Sequence, residues 1–160
     1  MVPNAAEAKL GTLMEREAAE AGAAVSRMLA GNRDTIAQVG ARLRGSPPAA
    51  VVTCARGSSD HAATYAKYLI ETLTGVPTAS AALSVASLYD APVAPGNRLC
   101  IAISQSGKSP DLLATVEHQR KAGAFVVAMV NAEDAPLASL ADVVIPLKAG
   151  LITEAAIKAD

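Results

Sequence analysis

Leu99-Cys100-Ile101-Ala102-Ile103-Ser104-Gln105-Ser106-Gly107-Lys108-Ser109-Pro110-Asp111 changes character twice in a short span. Its first part is apolar without alternation, the pattern of a strand covered on both faces. A polar turn, Ser104 to Ser109, follows. The next helix has a clearly written start: Ser109 can be the N-cap, Pro110 the first helical residue and Asp111 the favoured acid of the first turn. Lys121 in its last turn and Gly123 just beyond mark its end. Strand, polar loop and helix in that order make an α/β unit.

The same unit recurs on either side. Downstream, Ala124–Val130 and Asp142–Leu147 are two more apolar strand candidates. Upstream, Ala50–Cys54 runs into Gly57-Ser58-Ser59, then a helix with Ala62, Ala66, Leu69, Ile70 and Leu73 on one face as far as Gly75. Val76–Ala82 is a weaker strand because Pro77 removes a donor. Apolar strands alternating with helices predict a three-layer α/β/α domain from about Pro48 to Gly150, with five parallel strands. Ahead of it, Ala5–Leu29 has helical spacing, Gly31-Asn32 marks a stop, and Asp34 is placed to cap a second helix, Thr35–Leu43. Gly45-Ser46-Pro47-Pro48 ends that regime. The expected organisation is a helical segment over 1–45, the α/β domain over 46–150 and a tail over 151–160.

A length of 160 residues suits one such domain. The net charge of -1 argues against a dedicated nucleic-acid surface, and so does an aromatic set limited to Tyr65, Tyr68, Tyr89 and Phe125. Mean hydropathy is +0.29, yet the longest apolar run, Ala124–Val130, falls far short of the roughly 20 residues of a membrane span. No signal peptide is visible at Met1-Val2-Pro3-Asn4. Cys54 and Cys100 lie in apolar runs without metal spacing and read as reduced core thiols. A cytoplasmic protein with no membrane partner, no metal and no cofactor is expected.

In a parallel sheet, ligands bind beyond the carboxyl ends of the strands. Two loops there are rich in hydroxyls: Ala55-Arg56-Gly57-Ser58-Ser59-Asp60-His61 and Ser104-Gln105-Ser106-Gly107-Lys108-Ser109. A helix N-terminus offers unpaired N–H groups, and serine and glutamine add neutral donors in several directions. Such loops can be nothing more than caps and turns. Two of them, after the first and third strands, favour a phosphorylated ligand with a polyhydroxy body.

The second loop resembles the S-Q-S-G-x-[ST] signature of the SIS (sugar isomerase) domain family. Gly57-Ser58-Ser59 matches that family's first-loop G-[ST]-S. Met14-x-Arg16-Glu17-x-x-Glu20 is similar to the helix that precedes a first SIS half, and Asp142–Gly150 is similar to the last strand and exit. The likeness is to the isomerase part of glucosamine-6-phosphate synthase and to two-half glucosamine-6-phosphate deaminases. It implies a flavodoxin-like sheet and a sugar phosphate of the glucosamine-6-phosphate or fructose-6-phosphate class. By the same likeness Ser104, Gln105, Ser106 and Ser109 hold the phosphate around Gly107, while Ser59, with Gly57 and Ser58 beside it, touches the sugar. Lys108 lies outside the motif and is read as a solvated charge.

The sequence departs from the family after Gly150, where an acid followed by V-A-x-T-K is replaced by Leu151-Ile152-Thr153-Glu154. The second half, which in the family brings the ring-opening and proton-moving side chains, is not found in these 160 residues. No glutamate lies in either loop, and isomerisation needs a positioned base. His61 is a weak candidate and His118 lies far along its helix. Glu154 and Lys158 read as a surface pair, Cys54 as an unactivated core thiol, and Arg56 either as a cation that approaches a phosphate or as a surface loop charge. No catalytic residue is therefore assigned. The expected function is sugar-phosphate binding, related to aminotransferase-isomerase or deaminase chemistry, with a non-catalytic sensing module as the alternative. Uncovered alanine-rich helix surface predicts a homodimer.

Overall fold

The structure, a computed structural model, describes residues 13–149. The beginning of the first expected helix, Gly150 and the whole tail with its Glu154–Lys158 pair lie outside the described residues. Helices α1 (Leu13–Gly31) and α2 (Arg33–Gly45) come first. Then follow β1 (Ala50–Ala55), α3 (Ser58–Thr74), β2 (Thr78–Ser80), α4 (Leu83–Ser87), β3 (Arg98–Ser104), α5 (Pro110–Lys121), β4 (Phe125–Val130), α6 (Pro136–Leu140) and β5 (Val143–Pro146). The five strands form one sheet in the order β2-β1-β3-β4-β5, and every pairing is parallel.

Alternate residues of each strand enter different layers. Cys54, Cys100, Ala102, Val126, Ala128 and Val130 pack with Leu112, Val116 and Leu137 of α5 and α6. Val51, Leu99, Val127 and Ile145 pack on the other side with Val39 and Leu43 of α2 and Ile70 of α3. Both faces are thus covered, which is why the strands are apolar throughout. The expected five-stranded parallel α/β/α architecture is what the chain forms. No helix among the described residues is long and apolar enough to cross a membrane.

Three local expectations are corrected. Asn32, not Asp34, occupies the N-cap of α2, and Asp34 sits inside the first turn. The buried Asn32 side chain donates to the carbonyls of Met28 and Pro146, both at 2.8 Å, and so ties the helical pair to the end of β5. Helix α3 is turned by about one residue from the expected face: Ala63 is fully buried, whereas Leu69 and Leu73 are 40% and 79% exposed. Helix α5 turns one stripe inward, Leu112, Thr115, Val116 and Gln119, and α4 packs against it. The second strand shrinks to Thr78–Ser80 at the sheet edge, where the preceding Pro77 offers only its carbonyl, to the amide of Val51.

Candidate functional site

Strands β1 and β3 are neighbours, with Cys54 opposite Ala102 and Ala55 opposite Ile103. In the order β2-β1-β3-β4-β5 this is the switch point, where successive crossovers leave toward opposite faces and open a crevice at the strands' carboxyl ends. Helix α3 departs to one layer and α5 to the other. The two hydroxyl loops therefore meet. Arg56, Gly57, Ser58, Ser59, Ser104, Gln105, Ser106 and Ser109 line one open cleft of about 280 Å³. Every residue expected at the site lines this cleft except Gly107, which lies buried beneath it.

The β3–α5 loop is held from behind. Ser104 is buried, and its hydroxyl accepts the Gly107 N–H at 3.0 Å, closing the turn and leaving its own proton to donate. The carbonyls of Gln105 and Gly107 accept from the amides of Asn131, just past β4, and Leu137 in α6. Gly107 has a φ of +63°, and a Cβ there would come within 2.7 Å of the Ala135 Cβ and 2.9 Å of a Val130 methyl. Only glycine fits. Ser109 is the N-cap of α5 as expected, yet its hydroxyl makes no capping hydrogen bond. Its carbonyl receives the Leu113 amide instead.

The cleft thus has a fixed backbone and uncommitted side chains. Among the described residues, the side chains of Ser58, Ser59, Gln105, Ser106 and Ser109 have no hydrogen-bond partner, and they lie beside the first-turn amides of α3. Together they can surround an anionic group with neutral donors and leave further hydroxyls for an attached polyol.

Among the described residues lining the cleft, Arg56 alone is ionisable. It forms an ion pair with Asp111 in the first turn of α5, with side-chain exposures of 67% and 22%. No local signal in the sequence links these two positions, which stand 55 residues apart. A second cleft, of about 390 Å³, opens on the far side of the pair against Ser84, Ser87, Leu88 and Pro110.

The other candidates lie elsewhere. His61 is exposed on α3 outside the cleft lining. His118 faces the β2–β3 connection, with Nε2 3.2 Å from an Asp90 carboxylate oxygen and Nδ1 3.3 Å from the Ala91 carbonyl. Lys108 is exposed, as expected. Cys54 is fully buried with its Sγ 3.7 Å from that of Cys100. The hydrogen bond to Cys100, then burial, push the Cys54 thiol far up, so it stays protonated and inert. No group of three or more metal-ligating side chains occurs among the described residues.

Residues 47–159 match the family model described as the SIS domain. The chain is 35% identical over 119 residues to the glutamine–fructose-6-phosphate aminotransferase (isomerizing) of Symbiobacterium thermophilum; the match takes in 72% of this chain and 19% of that protein. It therefore spans about a fifth of the length of such relatives. A crystal structure from Silicibacter pomeroyi, provisionally named a phosphosugar isomerase, is 45% identical with a TM-score of 0.84, covering 88% of this chain and 43% of that one. The C-terminal domain of the glucosamine-fructose-6-phosphate aminotransferase of Francisella tularensis shares the fold at 24% identity and a TM-score of 0.74, covering 92% of this chain and 42% of that domain.

Proposed function

The chain belongs to the SIS domain family, and on that premise we propose that it binds a phosphorylated sugar of the glucosamine-6-phosphate or fructose-6-phosphate class in the cleft between β1 and β3. One observation carries the reading: two loops, one from each side of the switch point, direct uncommitted hydroxyl and amide groups into a single cleft with one cation. Ser106, Gln105 and Ser109, with the Ser104 proton, hold the phosphate. Ser58 and Ser59 face the sugar. The relatives named for fructose-6-phosphate amination and phosphosugar isomerisation support the same ligand class.

Chemistry on that ligand requires a base to take a carbon-bound proton, and well-placed acid–base groups contribute about 10²–10⁴-fold. Among the described residues lining the cleft there is no carboxylate and no imidazole. Within this segment the site is one for binding, and turnover calls for groups outside it. The cleft serves a sensing module equally well. The protein works in the cytoplasm as a homodimer, with Tyr65, Tyr68, Leu69 and Leu73 on the exposed side of α3 as the contact face.

Calorimetric titration with glucosamine-6-phosphate, fructose-6-phosphate and unphosphorylated glucosamine tests the assignment. Saturable binding of the two phosphates, lost for glucosamine and weakened in Ser106→Ala, is expected. Equal affinity for glucosamine and its phosphate would refute it.

A further inference from the structure

We infer that Arg56 is a positioning residue of this cleft, holding the Asp111 carboxylate so that the α5 end stays open to a dianionic ligand. The inference rests on the proposed sugar-phosphate reading. It starts from a conflict written into the sequence. An acid in the first turn stabilises a helix through the positive end of its dipole, and an anionic ligand uses that same end. Asp111 therefore competes with any phosphate brought to the β3–α5 loop.

The structure resolves the conflict with a residue from the opposite loop. One Asp111 oxygen accepts the Leu112 N–H at 2.9 Å, and the other receives the Arg56 guanidinium. Both oxygens are engaged, and the charge is cancelled by an arginine that lines the hydroxyl cleft, while Asp111 itself lines the second cleft. Arg56 lines the hydroxyl cleft on one side and the second cleft on the other, so the ion pair is the partition between them. The remaining charged side chains of the two loops and helix starts are Asp60, in the first turn of α3, and Lys108. Without Arg56, two carboxylates would stand against one lysine where a dianion must enter.

The test is the set of wild type, Arg56→Gln, Asp111→Asn and the double variant, each titrated with glucosamine-6-phosphate at low salt. Arg56→Gln should weaken binding about five-fold, and Asp111→Asn should tighten it by a similar factor. The double variant, neutral like the native pair, should return to within about three-fold of wild type, and Arg56→Lys should stay close to it. The Arg56→Gln loss should shrink in high salt. Arg56 is largely exposed and solvent screens the pair, so the urea midpoint should barely move. A double variant as weak as Arg56→Gln would make Arg56 a direct ligand contact and overturn the inference. So would an Arg56→Gln protein that binds normally, or one whose lost binding tracks lost stability. If wild type binds and Ser106→Ala weakens it while the Arg56 and Asp111 set stays flat, only this inference falls. If wild type does not bind, the proposed function falls and takes this inference with it.

Discussion

Gly107→Ala should be among the most damaging single-methyl additions to this chain. An L-residue with a left-handed backbone costs roughly 1–2 kcal/mol. The added Cβ would also stand 2.7 Å from Ala135 Cβ, 2.9 Å from a Val130 methyl and 3.3 Å from Leu137 Cβ. None of these is the far end of a flexible side chain, so the loop or α6 must move, and overpacking of that kind costs about 1–3 kcal/mol. The sum is about 2–5 kcal/mol, a large share of a typical domain's 5–15 kcal/mol. Gly75→Ala is the internal control: its φ is +69°, but nothing lies within 4 Å of the new Cβ, so only the backbone term applies. With a urea m-value near 2 kcal/mol/M, Gly107→Ala should lower the unfolding midpoint by about 1–2.5 M and Gly75→Ala by about 0.5–1 M. Phosphosugar affinity should fall in the first variant only, because the displaced loop carries Gln105, Ser106 and Ser109. Equal midpoint shifts would refute the reasoning, since the close approach to Ala135 and Val130 would then cost nothing.

Ser106→Ala should weaken glucosamine-6-phosphate binding by about 1.5–3 kcal/mol, the value of a donor to a charged group; an unchanged dissociation constant in the titration counts against the site. Folded Cys54 keeps its proton while the unfolded thiol ionises near pH 8.5, so its contribution is full below that pH and is lost above it. Urea titrations should show stability falling by about 1.4 kcal/mol per pH unit more steeply than in Cys54→Ala, and parallel pH profiles would contradict the raised thiol. Sedimentation at tens of micromolar should show a dimer that Leu73→Asp loosens; a clean monomer would remove the α3 face as an interface. Interconversion or deamination of glucosamine-6-phosphate by the purified chain should be negligible, and robust turnover abolished by His61→Ala would show that a base had been missed.

The β3–α5 unit was legible because everything that defines it is local. An apolar run, a turn glycine, Pro110 and Asp111 all act within a few residues. The convergence of Ser58 and Ser59 with Ser104 and Ser106 was legible too, since parallel topology brings neighbouring strand ends to one edge. Helix α3 was misjudged for a physical reason. The stripe that meets the sheet joins Ala63 to Ile70, so a pattern weighted by the larger Leu69 and Leu73 points to the exposed side of the helix. Asp34 has the side chain of a good cap, but Asn32 has a second partner, the Pro146 carbonyl, that no window of sequence reveals. Helices α4 and α6 have five residues each, too few for a period to register. The Arg56–Asp111 pair joins two loops that are adjacent only after folding.

The Asn32–Pro146 hydrogen bond spans 114 residues, and it orders events during synthesis. Chain leaving the ribosome presents α2, with Val39 and Leu43, long before the strand that receives it has been made. Those side chains pack on a layer that includes Val127, Val143 and Ile145, so the helical pair has no complete berth until β5 emerges. Its docking is the late, high-contact-order step of folding, and until then its apolar stripe is open to chaperones or to another nascent chain. Truncating Val39 or Leu43 to Ala should therefore speed unfolding while leaving the folding rate nearly unchanged. A folding limb slowed in proportion to the lost stability would place the helical pair in the nucleus instead.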